Sequence, residues 1–340
     1  MLVSVIVPIH VYNETLNKCL IHLAKYSANE NVELILVLDG IASQEEYFQN
    51  LGLNHAKIFS LQKNQGPAVA RNFGAQQASG EILFFMDSDV QIKENTISSV
   101  KNHLNKSSDT EAIIGSYDDQ PYFTTTVSKF RNLLHHHTHQ ISSSNVVTFW
   151  AGCGAIRRST FQEVGGFNEQ IKEASVEDIE LGYRLTFNGS KIKLIKSWQV
   201  KHLKKWSFLS MIKTDLFLRA IPWTKFLHQY KSWQNTKLNV SNHEKIAAAL
   251  LCFAGLSFIL TGFVGELVYV GSIFLILLFT VKFKTYSFLM RHFSFWKWPV
   301  VIILHWVYLA TSVMGYVIGT LQFYLQSNRQ SSISKTSSVQ

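Results

Sequence analysis

The chain has 340 residues, of which 47% are hydrophobic and only 16% charged, and its formal net charge is +9. That is longer than one typical domain and poor in charge for a soluble protein; the apolar excess sits after about residue 246, so a globular part precedes a membrane-like part. The basic balance points to the cytoplasmic leaflet and to phosphate-bearing substrates, and no basic-aromatic motif of a binding module argues for nucleic acid as a partner. Cys19, Cys153 and Cys252 are far apart, which fits a reducing compartment and excludes a disulfide framework or a CxxC metal pair.

The opening MLVSVIVPIHVYNE lacks a basic n-region, and its short β-branched run predicts a buried strand stopped by Pro8, not a signal peptide. A helix is predicted over 13–27, a strand over 32–38 closed by Asp39-Gly40, a helical stretch over 43–51, and a strand over 56–61. A helix over 66–79 leads to the apolar run 81–86, which ends in Asp87-Ser88-Asp89. Packing cannot explain two carboxylates at the end of a buried strand; an oxygen-loving divalent cation holding a phosphate can. Alternating strands and helices predict a parallel, doubly wound sheet. Ligands of such sheets sit beyond the carboxyl ends of the strands, where Pro8, Asp39, Asn64 and Asp87 all fall.

Further along, 113–116 reads as a strand and 130–140, FRNLLHHHTHQ, as a helix or lid. The stretch 148–156 reads as a strand interrupted by glycines, and 161–168 as a short helix and turn. Residues 176–188 form a helix with an acidic start, Glu177 and Asp178, favoured there by the helix dipole. A last short strand covers 191–195. The segment 204–233 mixes basic and aromatic residues and predicts helices lying in a headgroup layer, broken at Pro222. Three apolar stretches follow, 246–264, 267–281 and 299–325, the first two separated by a short turn without Lys or Arg. Dense positive charge before residue 245 and between 282 and 298 places both regions in the cytoplasm. Three spans put the C-terminus outside; a re-entrant hairpin over 246–281 changes that. The Ser-rich tail is predicted to be disordered.

The ordered series VSVIVPIHVYNE, LVLDG, NQGPAVARNFGAQQASGEILFFMDSDV, GCGAIRRSTFQEVGGFNE and EDIELGYRL resembles the family 2 glycosyltransferases over roughly residues 2 to 205. The resemblance implies an α/β fold of the GT-A type, with a Rossmann-like, mostly parallel central sheet. With the segments read above it gives four regions: a catalytic domain over 1–205 that carries the resemblance, an amphipathic interfacial segment over 206–245, a transmembrane region over 246–325 and a disordered tail over 326–340. It also implies a metal-dependent, inverting transfer of one sugar from a nucleotide-sugar donor, UDP-linked by preference and GDP-linked as the alternative. The acceptor would be a lipid or lipid-linked molecule at the cell membrane, as in cell-envelope glycan synthesis.

Carried onto matching residues, Asp39 pairs with the donor base, Pro8 leads backbone that lines it, and Glu14 lies near the nucleotide. The family often has two consecutive aspartates where this chain has Leu38-Asp39. Arg71 helps to hold the nucleotide through its planar fork. Asp87 faces ribose or a metal-bound water, and Asp89 holds Mg²⁺ or Mn²⁺, with His202 as a further metal or diphosphate ligand. Asp178 is the base that takes the acceptor proton, with Glu177 orienting it. Trp150, Gly152, Cys153 and Gly154 form the acceptor-side loop, Cys153 as a packing residue. Arg157 and Arg158 are candidates for a diphosphate or lipid phosphate, and His135, His136, His137 and His139 for a mobile lid or a phosphate headgroup site. No QxxRW motif follows the ED pair, which argues against a processive synthase. The alternatives are a polyprenyl-phosphate sugar synthase, a non-catalytic nucleotide-sugar-binding membrane scaffold, and a transporter with a regulatory domain.

Overall fold

The computed structural model describes residues 1–28, 31–106, 109–171, 176–230 and 241–337, with side chains to residue 326. It divides into two compact units, Met1–Lys205 and Trp206–Gln340.

Among the described residues the first unit has nine strands: β1 Val3–Ile9, β2 Val32–Asp39, β3 Lys57–Leu61, β4 Ile82–Met86, β5 Val90–Gln91, β6 Ala112–Tyr117, β7 Asn145–Val146, β8 Cys153–Arg157 and β9 Ile192–His202. Their order is β3-β2-β1-β4-β8-β6-β9-β5, with β7 paired to β9. The first four are parallel, as the alternation with helices requires. Strand β8 then enters antiparallel between β4 and β6, so the far half of the sheet is mixed. The helices described in this unit are α1 Glu14–Ser27, α2 Glu45–Asn50, α3 Pro67–Gln77, α4 Thr96–Lys106, α5 Thr126–Ile141, α6 Arg158–Glu163 and α7 Glu177–Phe187.

The central strands β1, β2 and β4 are covered on both faces, which is why they read as nearly unbroken apolar runs. Val3, Val5, Val7 and Ile9 of β1 pack with Leu16, Leu20 and Leu23 of α1. On the opposite face α3 lies so close that a Cβ on Gly74 would come 2.6 Å from Ile6. Gly74 therefore serves helix–sheet packing, not the approach of a ligand. Phe85 faces the same side and meets Phe149, Phe161 and Phe167. Pro8 does not stop β1, which continues to Ile9. Pairing of β1 with β4 ends at Ile6, while pairing with β2 runs on, so Pro8 has a strand neighbour on one side only.

In the second unit, α8 Phe208–Lys213, a π-helix Thr214–Ala220 and α9 Ile221–Gln229 follow one another without interruption. Pro222 does not break the segment. It lies in the first turn of α9, directly after the π-helix. Then come α10 Asn242–Leu260, α11 Leu267–Val281, α12 Phe283–His292 and α13 Trp298–Ser337. Helix α10 and the stretch Phe295–Gln326 are long and apolar enough to cross a membrane; α11 and α12 would add a third span only as a pair bent by 74°. The segment predicted to lie in a headgroup layer is seated on α13, where a Cβ on Gly315 would come 2.2 Å from Ala220 and one on Gly319 2.8 Å from Thr224. Small residues four apart permit that approach of helices. The backbone of α13 continues as helix to Ser337, into the tail predicted to be disordered.

Candidate active site

The site forms where the sheet changes direction. Strand β4 ends at Met86, and Asp87–Asp89 turn the chain into β5, with Val90 N–H donating to Asp87 O at 3.1 Å. Antiparallel pairing sets Met86 opposite Cys153, so the loop before β8 flanks the turn, and Asp87 N–H donates to Gly152 O at 3.4 Å. Strand β5 pairs Val90 with His202, and Leu203 N–H donates to Asp89 O at 2.8 Å. Sheet register thus brings His202 from the end of β9 to Asp89. Their side chains face each other, Nε2 to Oδ2, at 3.8 Å.

This pair fits a divalent cation. Burial raises the Asp89 carboxyl above its ordinary pKa, against the opposing pull of Lys204, His10 and Arg71. A carboxylate and an imidazole that face one another at more than hydrogen-bond distance are the oxygen and nitrogen donors that Mg²⁺ or Mn²⁺ accepts. Among the described residues no group of three or more His, Cys, Asp or Glu side chains forms a complete metal cage. Asp87 is less free than Asp89, because Arg71 Nη2 donates to its Oδ1 at 2.6 Å.

Asp178 comes from the first turn of α7. Its Oδ2 accepts from Ala151 N–H at 3.1 Å, which ties it to the loop beside Asp87. Burial, and then the neighbouring Glu177, push its pKa up to about 7; Arg71 and the Ala151 amide act against the rise. A carboxyl near neutrality is suited to taking and giving a proton. Gly182 lets α7 approach this loop, since a Cβ there would come 2.3 Å from Phe149 N. Trp150 lies across Gly152, where a Cβ would come 2.7 Å from its Nε1, and a Cβ on Gly154 would come 2.4 Å from Trp150 O. These two glycines make room for the protein's own tryptophan and backbone. Cys153 is fully buried, and burial raises its thiol well above the ordinary pKa, so it is a packing residue.

The structure places several other residues differently from the sequence reading. Arg71 is buried, with Nη1 donating to Glu177 Oε1 at 2.5 Å and Nη2 to Asp87, so its fork is occupied by protein carboxylates. Asp39 accepts from the amides of Gln65 and Gly66 at 2.8 and 2.9 Å and so holds the loop that starts α3. Gly66 itself has φ +92°, a conformation glycine adopts readily. Glu14 is exposed at the start of α1, 3.4 Å from Lys18 and accepting from Tyr122. Arg157 donates to the carbonyls of Thr110 and Leu104 and Arg158 to that of Ala78, so part of each fork is held by backbone.

The histidines of α5 do not form a mobile lid. His136, His137 and His139 are buried, and the Nδ1 atoms of His136 and His139 lie 2.8 and 3.2 Å from the β6 carbonyls of Tyr117 and Gly115. Burial lowers the His139 pKa to about 4, so it is neutral and has no charge to offer a phosphate headgroup. The sequence reading missed Tyr117. Its ring stacks on His202 with centroids 4.1 Å apart and meets the Trp150 ring edge-on at 4.7 Å. Tyr117 closes β6, and its position at a strand end was the available signal.

Residues 4–165 match the family model described as Glycosyl transferase family 2. The chain is 30% identical over 138 residues to glycosyltransferase GlyG of Streptococcus pneumoniae, across 38% of this chain and 45% of the relative. It is 33% identical over 111 residues to an uncharacterized glycosyltransferase of Haemophilus influenzae, across 30% of this chain and 44% of the relative. The chain therefore spans less than half the length of these curated relatives. Among solved structures, the mannosyltransferase PcManGT from Pyrobaculum calidifontis, in complex with GDP-Man and Mn²⁺, aligns with a TM-score of 0.61 over 93% of this chain and 86% of its own at 14% identity.

Proposed function

Because residues 4–165 belong to glycosyl transferase family 2, we propose that the chain is a metal-dependent, inverting glycosyltransferase. It moves one sugar from a nucleotide-sugar donor to a lipid or lipid-linked acceptor. The observation that carries this reading is the convergence of Asp87 and Asp89 at the end of β4 with Asp178 at the start of α7, through the Ala151 amide. PcManGT, seen with GDP-Man and Mn²⁺, shares the fold and supports a nucleotide sugar with a divalent cation.

Asp89 and His202 would hold the cation. When bound, the cation neutralises charge on the leaving diphosphate. Asp178 removes the proton of the acceptor hydroxyl as the oxygen bonds to the anomeric carbon and the bond to the diphosphate breaks. Ala151 N–H holds that carboxylate in place, and Trp150 offers an aromatic face to the acceptor. Asp39 fixes the backbone beside the base. The apolar helices of the second unit would anchor the chain in the membrane, with 1–205 on the cytoplasmic side.

A donor screen tests this: UDP- and GDP-sugars with Mn²⁺ or Mg²⁺, membrane lipid extract as acceptor, and Asp89→Ala and Asp178→Ala alongside. Both variants are expected to lose at least about 10²-fold in rate. Full transfer by both would refute the mechanism, and turnover indifferent to chelation would refute the metal assignment. An acid-labile product on lipid phosphate would identify a polyprenyl-phosphate sugar synthase.

A further inference from the structure

Arg71 carries a geometry that the donor-site reading does not use. It is 4% exposed, and its guanidinium lies 5.4 Å from the Phe167 ring. The two carboxylates it binds belong to different motifs: Asp87 to the turn after β4, Glu177 to the first turn of α7. Its Nε is buried and finds no hydrogen-bond partner, while each Nη donates to a protein carboxylate. The next residue acts in the same direction. Asn72 donates to Phe167 O at 2.8 Å and accepts from Phe167 N–H at 2.8 Å, while also donating to Glu169 at 2.9 Å. Consecutive side chains of α3 thus hold Phe167 at one point and Glu177 at another, on the way to Asp178.

We propose that Arg71 is a positioning residue that locks the Asp87–Asp89 turn and the start of α7 into one geometry, and that it does not touch the nucleotide. This rests on the function proposed above. A planar fork can donate in two directions at once, which a single ammonium cannot reproduce. Glu177 is buried and needs a cationic partner, and that partner also holds Asp87. Asp178 follows Glu177 in the chain, so the link fixes how far the proton acceptor stands from the carboxylates on the donor side.

The test uses the full chain, the nucleotide sugar that the donor screen shows to be turned over, and UDP and GDP as binding probes. Arg71→Met and Arg71→Lys are expected to lower kcat about 10²-fold, the order of loss that a misplaced group produces, with UDP or GDP binding as in the wild type. Arg71→Met/Glu177→Gln removes both buried charges and is expected to be no slower than Arg71→Met, because the two changes cut one link. A wild-type kcat in Arg71→Lys would overturn the proposal. So would a loss confined to donor KM and nucleotide binding, or independent, multiplying effects of the Arg71 and Glu177 changes. The two readings fail separately. A wild-type chain that turns over no nucleotide sugar sinks the glycosyltransferase reading and this one with it, whereas an active wild type with an unaffected Arg71→Lys sinks this one alone.

Discussion

Asp178 has two neighbours that pull its proton equilibrium in opposite directions: Glu177 raises its pKa and Arg71 lowers it, on top of a larger rise from burial. A base must be ionised to act, and the raised pKa means that Asp178 gains its proton as pH falls through about 7. Turnover should therefore drop on the acid side of neutrality, and kcat/KM measured against pH is expected to show that limb. An unchanged rate down to the ordinary carboxylate range would exclude Asp178 as the base. Tyr117 gives a second prediction at this scale. Its stack fixes the His202 ring, so Tyr117→Ala should raise the Mn²⁺ concentration needed for half-maximal activity by about tenfold. Tyr117→Phe keeps the ring and should keep the wild-type value; equal loss in both would point to the hydroxyl instead.

Helix α5 shows how an element acquires its place. Its sequence offers four histidines in five positions, which read as chemistry because packing is invisible in one dimension. In the fold, His136 and His139 face the carbonyls at the end of β6, and the helix is part of the wall of the site. A buried neutral histidine makes stability depend on pH. The folded pKa of His139 is about 4 against an ordinary value of 6.5, so protonation favours the unfolded chain. Its contribution is present above about 6.5 and is lost as pH falls toward 4, by up to about 3 kcal/mol. Thermal unfolding of the full chain in detergent should show this loss, and His139→Gln should flatten it. An equally steep acid dependence in the variant would assign the effect to other groups.

At the scale of the molecule, two units of different chemistry share one chain. The first buries its apolar residues between helices and a sheet; the second leaves Phe253, Ile259, Phe263, Tyr269 and Ile276 exposed on α10, α11 and their connection. Surfaces of that kind are stable in lipid and aggregate in water. The full chain is expected to stay in the membrane pellet through alkaline carbonate extraction, checked by immunoblotting of pellet and supernatant. Release into the supernatant would show that the apolar helices do not insert.

Strands β1, β2 and β4 were legible because they are buried on both faces, and the edge strand β3 because short connections and a flanking helix frame it. Unbroken apolar runs between Gly and Asp are the direct trace of that burial. The Asp87-Ser88-Asp89 turn stood out because charge at the end of a buried strand has few purely structural explanations, whereas Glu177-Asp178 suits any helix N-terminus and was singled out by the family resemblance. What stayed hidden is what depends on residues distant in sequence meeting in space. Whether the Arg71 fork faces a nucleotide or two protein carboxylates is set by α7, which starts 106 residues later. Gly152 and Gly154 read as an acceptor-side loop until Trp150 and its backbone fill the space beside them. The sequence by itself determined the strand ends and the acids they carry, since hydrophobic period and local charge are properties of neighbours along the chain. The tertiary structure alone decided which of those acids stand free for a ligand and which are held by the protein, because antiparallel entry of β8 and the docking of α7 choose their partners.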